Sequence, residues 1–498
     1  MSEIIRSLIF ILIIETAFFA IIKKPVCSVI DATDFVRRRN LWFALTIVAF
    51  VTQNFWIYTA LALLLLFYAY KKETNPIALF CSVLFVLPVV NVDIPGVGGI
   101  RLIFELSNLR LLELAILFPL FLSLRKQSDT IRFGRTNADK IFALYLILNC
   151  LLYFRDFNIT NNLRSIFYLF IDVFLGYYVF SRVLKSLQNF RETILSLLIS
   201  ILILAPLGVF EFLRNWLLYS ALAQNLSLTP DSFTDYLERD GMLRAAVTTG
   251  QSIVLGYLFV VGIGLYIFFQ RSIQKPIVRY LGLALLFAGS FSSISRGPWV
   301  GLVFLFVTFI ATGKNVLRNI AILAFTAMFA LSVISFLPGG QKVLNLLPFV
   351  GTVDAENVSY REDLITNSLI VIKRNFLFGS TDYLQTPELE SMRQGQGIID
   401  IVNSYIQIAL STGVVGLGLF VAFFAFVLWG IYQSMQTILD FDSDEYLLGR
   451  VLFSSIASIL IMIFTVSSIT FIPIVYWSLA GMGVAYSQMI GKNSRKPL

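Results

Sequence analysis

Apolar runs long enough to cross a bilayer recur along almost the whole chain, separated by short polar stretches. A spanning helix needs about 20 predominantly apolar residues, with a range near 17–25. Candidates fall at 7–22, 40–55, 56–70, 77–92, 111–124, 140–154, 164–181, 192–212, 250–269, 280–293, 298–312, 319–337, 404–430, 449–468 and 471–490. Several are short, and 40–70 reads also as one tilted helix. The pattern predicts an all-α fold, a polytopic transmembrane helical bundle of about fourteen spans. The first run, Ser7–Ile22, is followed by Lys23 and Lys24 and not by a small-residue cleavage site, so it reads as the first span with its N-terminus outside.

Lysine and arginine set the orientation. They cluster at Lys23/Lys24, Arg37 to Arg39, Lys71/Lys72, Lys126 to Lys140, Arg182/Lys185/Arg191, Arg271/Lys275/Arg279, Lys314/Arg318 and Lys492/Arg495/Lys496. Placing all of them in the cytoplasm gives an alternating topology without contradiction. Trp42, Trp56, Trp216, Trp299, Trp429 and Trp477 lie at or near expected span ends. Three outward segments remain: about 91–110 with Arg101, about 214–249, and the long loop 338–403 with short helices. Within that loop, 361–374 reads as an amphipathic helix on the membrane surface, with Leu364, Leu369 and Ile372 on one side. The organisation expected is N-terminal transmembrane helices over 1–240, a core over 241–430 that includes the loop, and C-terminal helices over 431–498.

Composition narrows the chemistry. The 498 residues are 57% hydrophobic and 14% charged, against about 25% charged in a soluble protein. Mean hydropathy is +0.81. The net charge of +8 is what positive-inside loops produce, so no nucleic acid is expected. The chain has no histidine, which removes HExxH metal sites, Ser-His-Asp triads and histidine relays. Cys27, Cys81 and Cys150 form no CxxC and fall in no outward loop, so neither a disulfide framework nor a zinc site is expected. Glu15 and Asp172 fall inside spans, where a charge is a functional candidate by default. The simpler reading pairs each with a tyrosine or a backbone group. The run Asp440 to Glu445 contains a D-x-D, read as an acidic solvated turn and not as a metal site.

Three stretches carry candidate chemistry. In Gly289-Ser-Phe-Ser-Ser-Ile-Ser-Arg-Gly-Pro-Trp-Val-Gly301, a hydroxyl-rich helix end breaks at Arg296-Gly297 and Pro298 starts the next helix. Arg296 is thereby an outward arginine against the charge pattern. Its planar guanidinium suits phosphate oxygens, and a helix start favours anions too; a headgroup contact or a carbonyl cap is the alternative. Arg239 and Arg244 precede the ninth span, with Arg214 in the same outward segment. Arg244 thus lies, like Arg296, at the outward membrane surface, and two outward arginines at one depth could clamp a pyrophosphate; Arg239 is a substrate-binding candidate, or it simply pairs with Glu238 or Asp240. The long loop holds Tyr360-Arg361-Glu362 and Asn375-Phe-Leu-Phe-Gly-Ser380, and ends in Asp400-Ile-Val-Asn-Ser-Tyr-Ile-Gln-Ile-Ala-Leu-Ser-Thr-Gly-Val-Val-Gly-Leu417.

The succession "SISRGPWVG", "SYRE…NFLFGS", "VNSYIQIALSTGVVGL" resembles the bacterial O-antigen ligase and Wzy-type polymerase superfamily, over roughly 240–420. The resemblance implies an integral-membrane glycosyltransferase of the inner (cytoplasmic) membrane, with its active site facing the periplasm. Its donor would be an undecaprenyl-pyrophosphate-linked oligosaccharide, with no metal or other cofactor. A chain-length regulator and a flippase of the same pathway would be its partners. By resemblance, Arg244 and Arg296 match arginines that grip the donor pyrophosphate, and Arg361 matches a third. Ligases carry a histidine before the Asn of the "NSYL"-like motif; Val402 stands there, which favours the polymerase branch. Asp400 is the first candidate for the base, with Glu362 and Asp363 behind it; Glu388 and Glu390 are expected to be solvated. Ser295 and Tyr360 are substrate-binding candidates, as are Asn403 and Tyr405, read as sugar-contacting or helix-starting. The alternatives are an O-antigen ligase acting on lipid A-core, and a lipid-linked sugar flippase or transporter. The long one-sided loop and the scarcity of midplane charges argue against the transporter.

Overall fold

The computed structural model describes residues 2–96, 98, 102–156, 158–226, 238–239, 241–336, 341, 344–345, 355–394 and 397–493. Arg101, Asp240, Arg495 and Lys496 fall outside them. Helices dominate, and seven are long and apolar enough to cross a membrane: Glu3–Val26, Ile159–Val183, Leu187–Arg214, Ser252–Phe269, Val316–Phe336, Ser404–Gln436 and Asp444–Met462. Pro276–Ser292 and Arg296–Ala311 are shorter apolar helices. The all-α, multi-pass architecture therefore stands. The structure does not fix the span count, because other expected spans are short or irregular. The 77–92 run is helical only over Pro76–Val83, and 111–124 passes through a π-wound turn at Glu113–Leu117.

Local chemistry accounts for the breaks. The 40–70 stretch is two helices, Ala32–Val51 and Phe55–Lys72. Asn54 separates them, its side chain accepting the N–H groups of Trp56 and Ile57; a short amide at this position satisfies orphan donors that a continuous helix would not have. The 91–110 segment, read from sequence only as an outward loop, forms a hairpin of Asn91–Pro95 with Leu102–Ser107. Arg164 donates to the carbonyls of Leu102 and Ile103, and the Tyr168 hydroxyl accepts from Glu105 N at 2.7 Å.

Buried charge follows a different scheme from the one expected. Asp172 takes a forked bond from Arg110 (Nε to Oδ1 3.0 Å, Nη2 to Oδ2 2.8 Å), and Arg110 stacks on Tyr168. Glu15 accepts the indole N–H of Trp42 at 2.7 Å. Neither pairs with a tyrosine or a backbone group, because a buried carboxylate takes the strongest donor within reach. Trp42 is accordingly interior, not interfacial, and Trp477 lies in an aromatic cluster with Phe142, Phe420 and Phe423. The D-x-D run does more than make a solvated turn. Asp442 faces Lys314 and Arg271, and Asp444 pairs with Arg191, so the run stitches the basic loops at one end of the bundle.

At the other end the long loop is clamped to the bundle. The helix Ser404–Gln436 breaks at Gly413 (φ 70°, ψ −171°). The segment 376–380 enters this break: Val414 N donates to Phe376 O at 2.9 Å, Val415 N to Leu377 O at 3.2 Å, and Ser380 N to Leu410 O at 2.8 Å. The approach is so close that a Cβ on Gly413 would lie 2.2 Å from Leu377 O, and one on Gly379 2.4 Å from Leu410 O. The loop helix Ala355–Arg374 then packs Leu364, Val371 and Ile372 against Leu389, Ile401, Ala409 and Leu410. Leu369, expected on that face, is half exposed on the opposite one. The face is set by docking onto the bundle, not by the membrane surface.

Gly413→Ala should therefore detach the loop, because both φ and backbone contact exclude a side chain. Gly418→Ala, in open space with an ordinary helical φ, is the control. Limited proteolysis of the protein in membranes should cut between 337 and 403 faster in Gly413→Ala than in the wild type. Cleavage rates equal to those of Gly418→Ala would contradict the clamp.

Candidate functional site

The site grows from the turn between the helices Pro276–Ser292 and Arg296–Ala311. The turn is tight, and Ile294 is held at φ 42°, a left-handed conformation that a β-branched residue adopts only under constraint. Its buried serines spend their polar atoms locally. Ser292 and Ser293 donate to Gly289 O and Ser290 O at 2.8 and 2.7 Å. Ser295 stands at the N-cap but makes no capping bond; its hydroxyl donates to Ser293 O at 3.0 Å. The carbonyls of 293 and 294 are thereby turned toward the arginines.

Arg244 donates from Nε to Ser293 O (3.3 Å) and from Nη2 to Ser295 Oγ (3.0 Å). Arg239 Nη1 donates to Ile294 O at 2.7 Å, and Asp240, one of the two local partners considered for it, lies outside the described residues. It sits on a two-residue hairpin with Met242–Leu243. Arg296 opens the next helix and reaches Asn345 O at 3.2 Å. Gly297 presses against Thr465, whose Oγ1 would lie 2.2 Å from a Cβ there. Four of the predicted site residues, Arg239, Arg244, Ser295 and Arg296, thus meet at one turn. A cationic side chain in the first turn of a helix opposes the helix dipole, and a second guanidinium one residue away adds to the positive field.

The loop helix brings the other pair. Arg361 is half buried. Burial lowers its pKa, Asp400 opposes that shift, and Arg296 adds to it, so the two arginines sense each other directly. Asp400 is exposed at the residue level, but its carboxylate meets Ser467 Oγ at 3.3 Å and lies near Arg361. Surrounding protein raises its pKa above the usual aspartate value, while Ser467 and Arg361 pull it down. The Tyr360 hydroxyl brackets Asp400, donating to its carbonyl at 3.1 Å and accepting from its N–H at 3.2 Å. Glu362 and Asp363 lie on the exposed side of the helix. Glu388 and Glu390 are in ion pairs with Arg374 and Arg393 and are not simply solvated.

Asn403 caps the helix, and Tyr405, in its first turn, ties it to a neighbouring helix. Asn403 Oδ1 accepts from Tyr405 N (2.9 Å) and Ile406 N (3.2 Å), and the Tyr405 hydroxyl donates to Leu460 O at 2.8 Å. Ser404 locks to the carbonyl of Val466 through its hydroxyl at 2.8 Å. The third motif is therefore mostly architectural. It anchors the helix whose N-terminal flank carries Asp400.

Sequence reasoning missed Arg155. Its guanidinium donates to Leu152 O (3.1 Å) in its own helix and gathers three carbonyls across the fold, Phe378 O (3.0 Å), Gly379 O (2.8 Å) and Ser411 O (2.9 Å). It closes the clamp and complements the carbonyl ends of two helical segments at once. The signal was present: like Arg296, it is an arginine beside an apolar run and outside the clusters of lysine and arginine. A metal is a poor fit to the carboxylate group Asp34, Glu73 and Glu192, the one gathering of possible ligands among the described residues. Arg38 forks between Glu73 and Glu192, and Arg37 holds Asp34; guanidinium groups occupy the place a cation would take.

Residues 281–421 match the family described as Wzy_C, O-antigen ligase. No curated protein matches the chain. The matched stretch begins in the helix before the Ser292–Arg296 turn and ends in the helix after the Gly413 break, so it contains the turn, Arg361, Asp400 and the clamp. Arg155→Ala should leave the protein in the membrane but loosen the loop, seen as faster hydrogen exchange over 376–380 and 410–415. Exchange unchanged from the wild type would remove Arg155 from the clamp.

Proposed function

We propose that this chain, whose residues 281–421 belong to the O-antigen ligase and polymerase superfamily, is a Wzy-type polymerase. It transfers a glycan from undecaprenyl pyrophosphate onto the next lipid-linked repeat unit at the periplasmic face of the inner membrane. The observation that carries this is the meeting of Arg239, Arg244 and Arg296 at one helix turn, with Arg361 near Arg296 and the Asp400 carboxylate near Arg361. An acceptor hydroxyl oxygen attacks the anomeric carbon and forms the new glycosidic bond. The bond from that carbon to the pyrophosphate oxygen breaks, and its electron pair leaves with the pyrophosphate. The hydroxyl proton goes to Asp400. Charge grows on the leaving group as the bond stretches, so guanidinium groups fixed beforehand favour the transition state over the ground state. The donor is already activated, and the reaction needs no metal in principle.

A ligase reading is the main alternative, and the printed family description is that of a ligase. Val402 occupies the place where the resemblance puts the ligase histidine, and the chain has no other histidine to substitute for it. This supports the polymerase. Incubating the purified protein with the lipid-linked repeat alone separates the two: oligomers require a polymerase, and a ligase forms none without lipid A-core.

Arg244→Ala and Arg296→Ala should each lower transfer by about 10²–10³-fold, the usual cost of one preorganised donor at a developing negative charge. Lysine should not restore it, because a point charge cannot fork across two oxygens. Full polymer from either alanine variant at normal membrane levels would remove that residue from the site. Asp400 must be ionised to accept the proton, and its pKa is raised by its surroundings. Activity should therefore fall on acidification at a higher pH than an ordinary aspartate would give. The neutral form is the one the fold favours, so Asp400→Asn should not destabilise the protein; it should abolish the acid limb of the pH–rate profile. An identical acid limb in the residual activity of Asp400→Asn would exclude it as the base.

A further inference from the structure

Glu211 lies near the outward end of the helix Leu204–Arg214, fully buried. A carboxylate there would ordinarily be matched with a cation. The bonds of Glu211 go instead to main-chain amides. Oε1 accepts from Leu218 N at 2.9 Å, and Oε2 accepts from Ala246 N at 3.0 Å and Val247 N at 2.9 Å. The last two amides follow Arg244 by two and three residues. They belong to a turn that needs outside support, since Val247, a β-branched residue, sits at φ 47°.

The same turn is tied laterally to the Ser292–Arg296 turn. Ala245 N donates to Ser292 O at 3.0 Å, beside the bonds from Arg244 to Ser293 and Ser295. A second feature of the same helix agrees. Gly208, one turn before Glu211, passes so close that a Cβ would meet Ser292 Oγ at 3.1 Å and Val247 Cγ2 at 3.5 Å. One helix therefore touches both strained turns, with a glycine for proximity and a carboxylate for attachment. Charged acceptors make the stronger bonds to N–H groups, and only a carboxylate offers two oxygens to three donors without adding a donor of its own.

We infer that Glu211 is a positioning residue for Arg244: its carboxylate, held on the main-chain amides of 246 and 247, fixes the guanidinium against the Ser292–Arg296 turn. It touches no reacting group and acts through the backbone. The inference rests on the proposed role of Arg244 as a donor to the leaving pyrophosphate. In Glu211→Gln one oxygen becomes an NH2 that faces amide N–H donors, so the turn relaxes and Arg244 drifts.

The test is a double-mutant cycle on purified protein in proteoliposomes, with the lipid-linked repeat as substrate. It uses Glu211→Gln, Arg244→Lys and the double variant. Glu211→Gln should lower kcat at least about tenfold, as a displacement near 1 Å can, with KM for the donor changed far less. If the two residues act as one unit, the double variant should be no slower than Arg244→Lys alone. Losses that multiply, or wild-type kcat in Glu211→Gln, would overturn the inference. Wild-type activity in Arg244→Lys and in Arg244→Ala would instead defeat the reading of Arg244 itself, a separable outcome. Should Glu211→Gln fail to accumulate, Glu211→Asp supplies the same cycle; full activity there, with the carboxylate one methylene short of the amides, would equally overturn the inference.

Discussion

The candidate site hangs on the acceptors of four residues, Ser292 to Ser295. Guanidinium groups repel one another, and bringing three of them to one helix end near a membrane requires compensation that does not itself neutralise the site. The turn supplies it with neutral oxygens. Ser293 O and Ser295 Oγ take Arg244, and Ile294 O takes Arg239. Neutral acceptors orient a guanidinium without removing its charge. Asp400 reaches the group from the side of Arg361.

The loop is the second half of the site, and its place depends on backbone packing more than on side-chain chemistry. Arg361 and Asp400 are near the turn because 376–380 is inserted into the break at Gly413 and pinned by Arg155. A helix interrupted near a site, with glycine at the interruption, trades helical hydrogen bonds for inter-segment ones without leaving polar groups unpaired. The resemblance-bearing stretches then have distinct duties. "SISRG" makes the acceptor turn, "NFLFGS" and "STGVVG" make the clamp, and "VNSY" starts the helix that carries it.

Much of this was legible from the chain. Apolar periodicity gave the multi-pass bundle, and the motifs singled out Arg244 and Arg296, which the structure brings to one turn. What could not be read depends on three-dimensional partners. Leu369 was assigned to a face by period alone, and the face was decided by docking on Leu389 and Leu410. Asp172 and Glu15 meet Arg110 and Trp42 and not the expected tyrosine or backbone group, because those partners are distant in sequence. Arg155 looked like a span-end residue, since nothing local shows that it meets carbonyls more than 220 positions away. The 91–107 hairpin was missed because its short, mixed pattern carries little strand signal and its stability comes from Arg164 and Tyr168.

The most direct measurement is equilibrium binding of the leaving group. Undecaprenyl pyrophosphate and undecaprenyl monophosphate can be compared on the purified protein in nanodiscs, with the wild type beside Arg296→Ala. The account predicts that the pyrophosphate binds tighter than the monophosphate to the wild type, and that the preference collapses in the variant. Equal affinities in the wild type, or a preference untouched by the substitution, would contradict it.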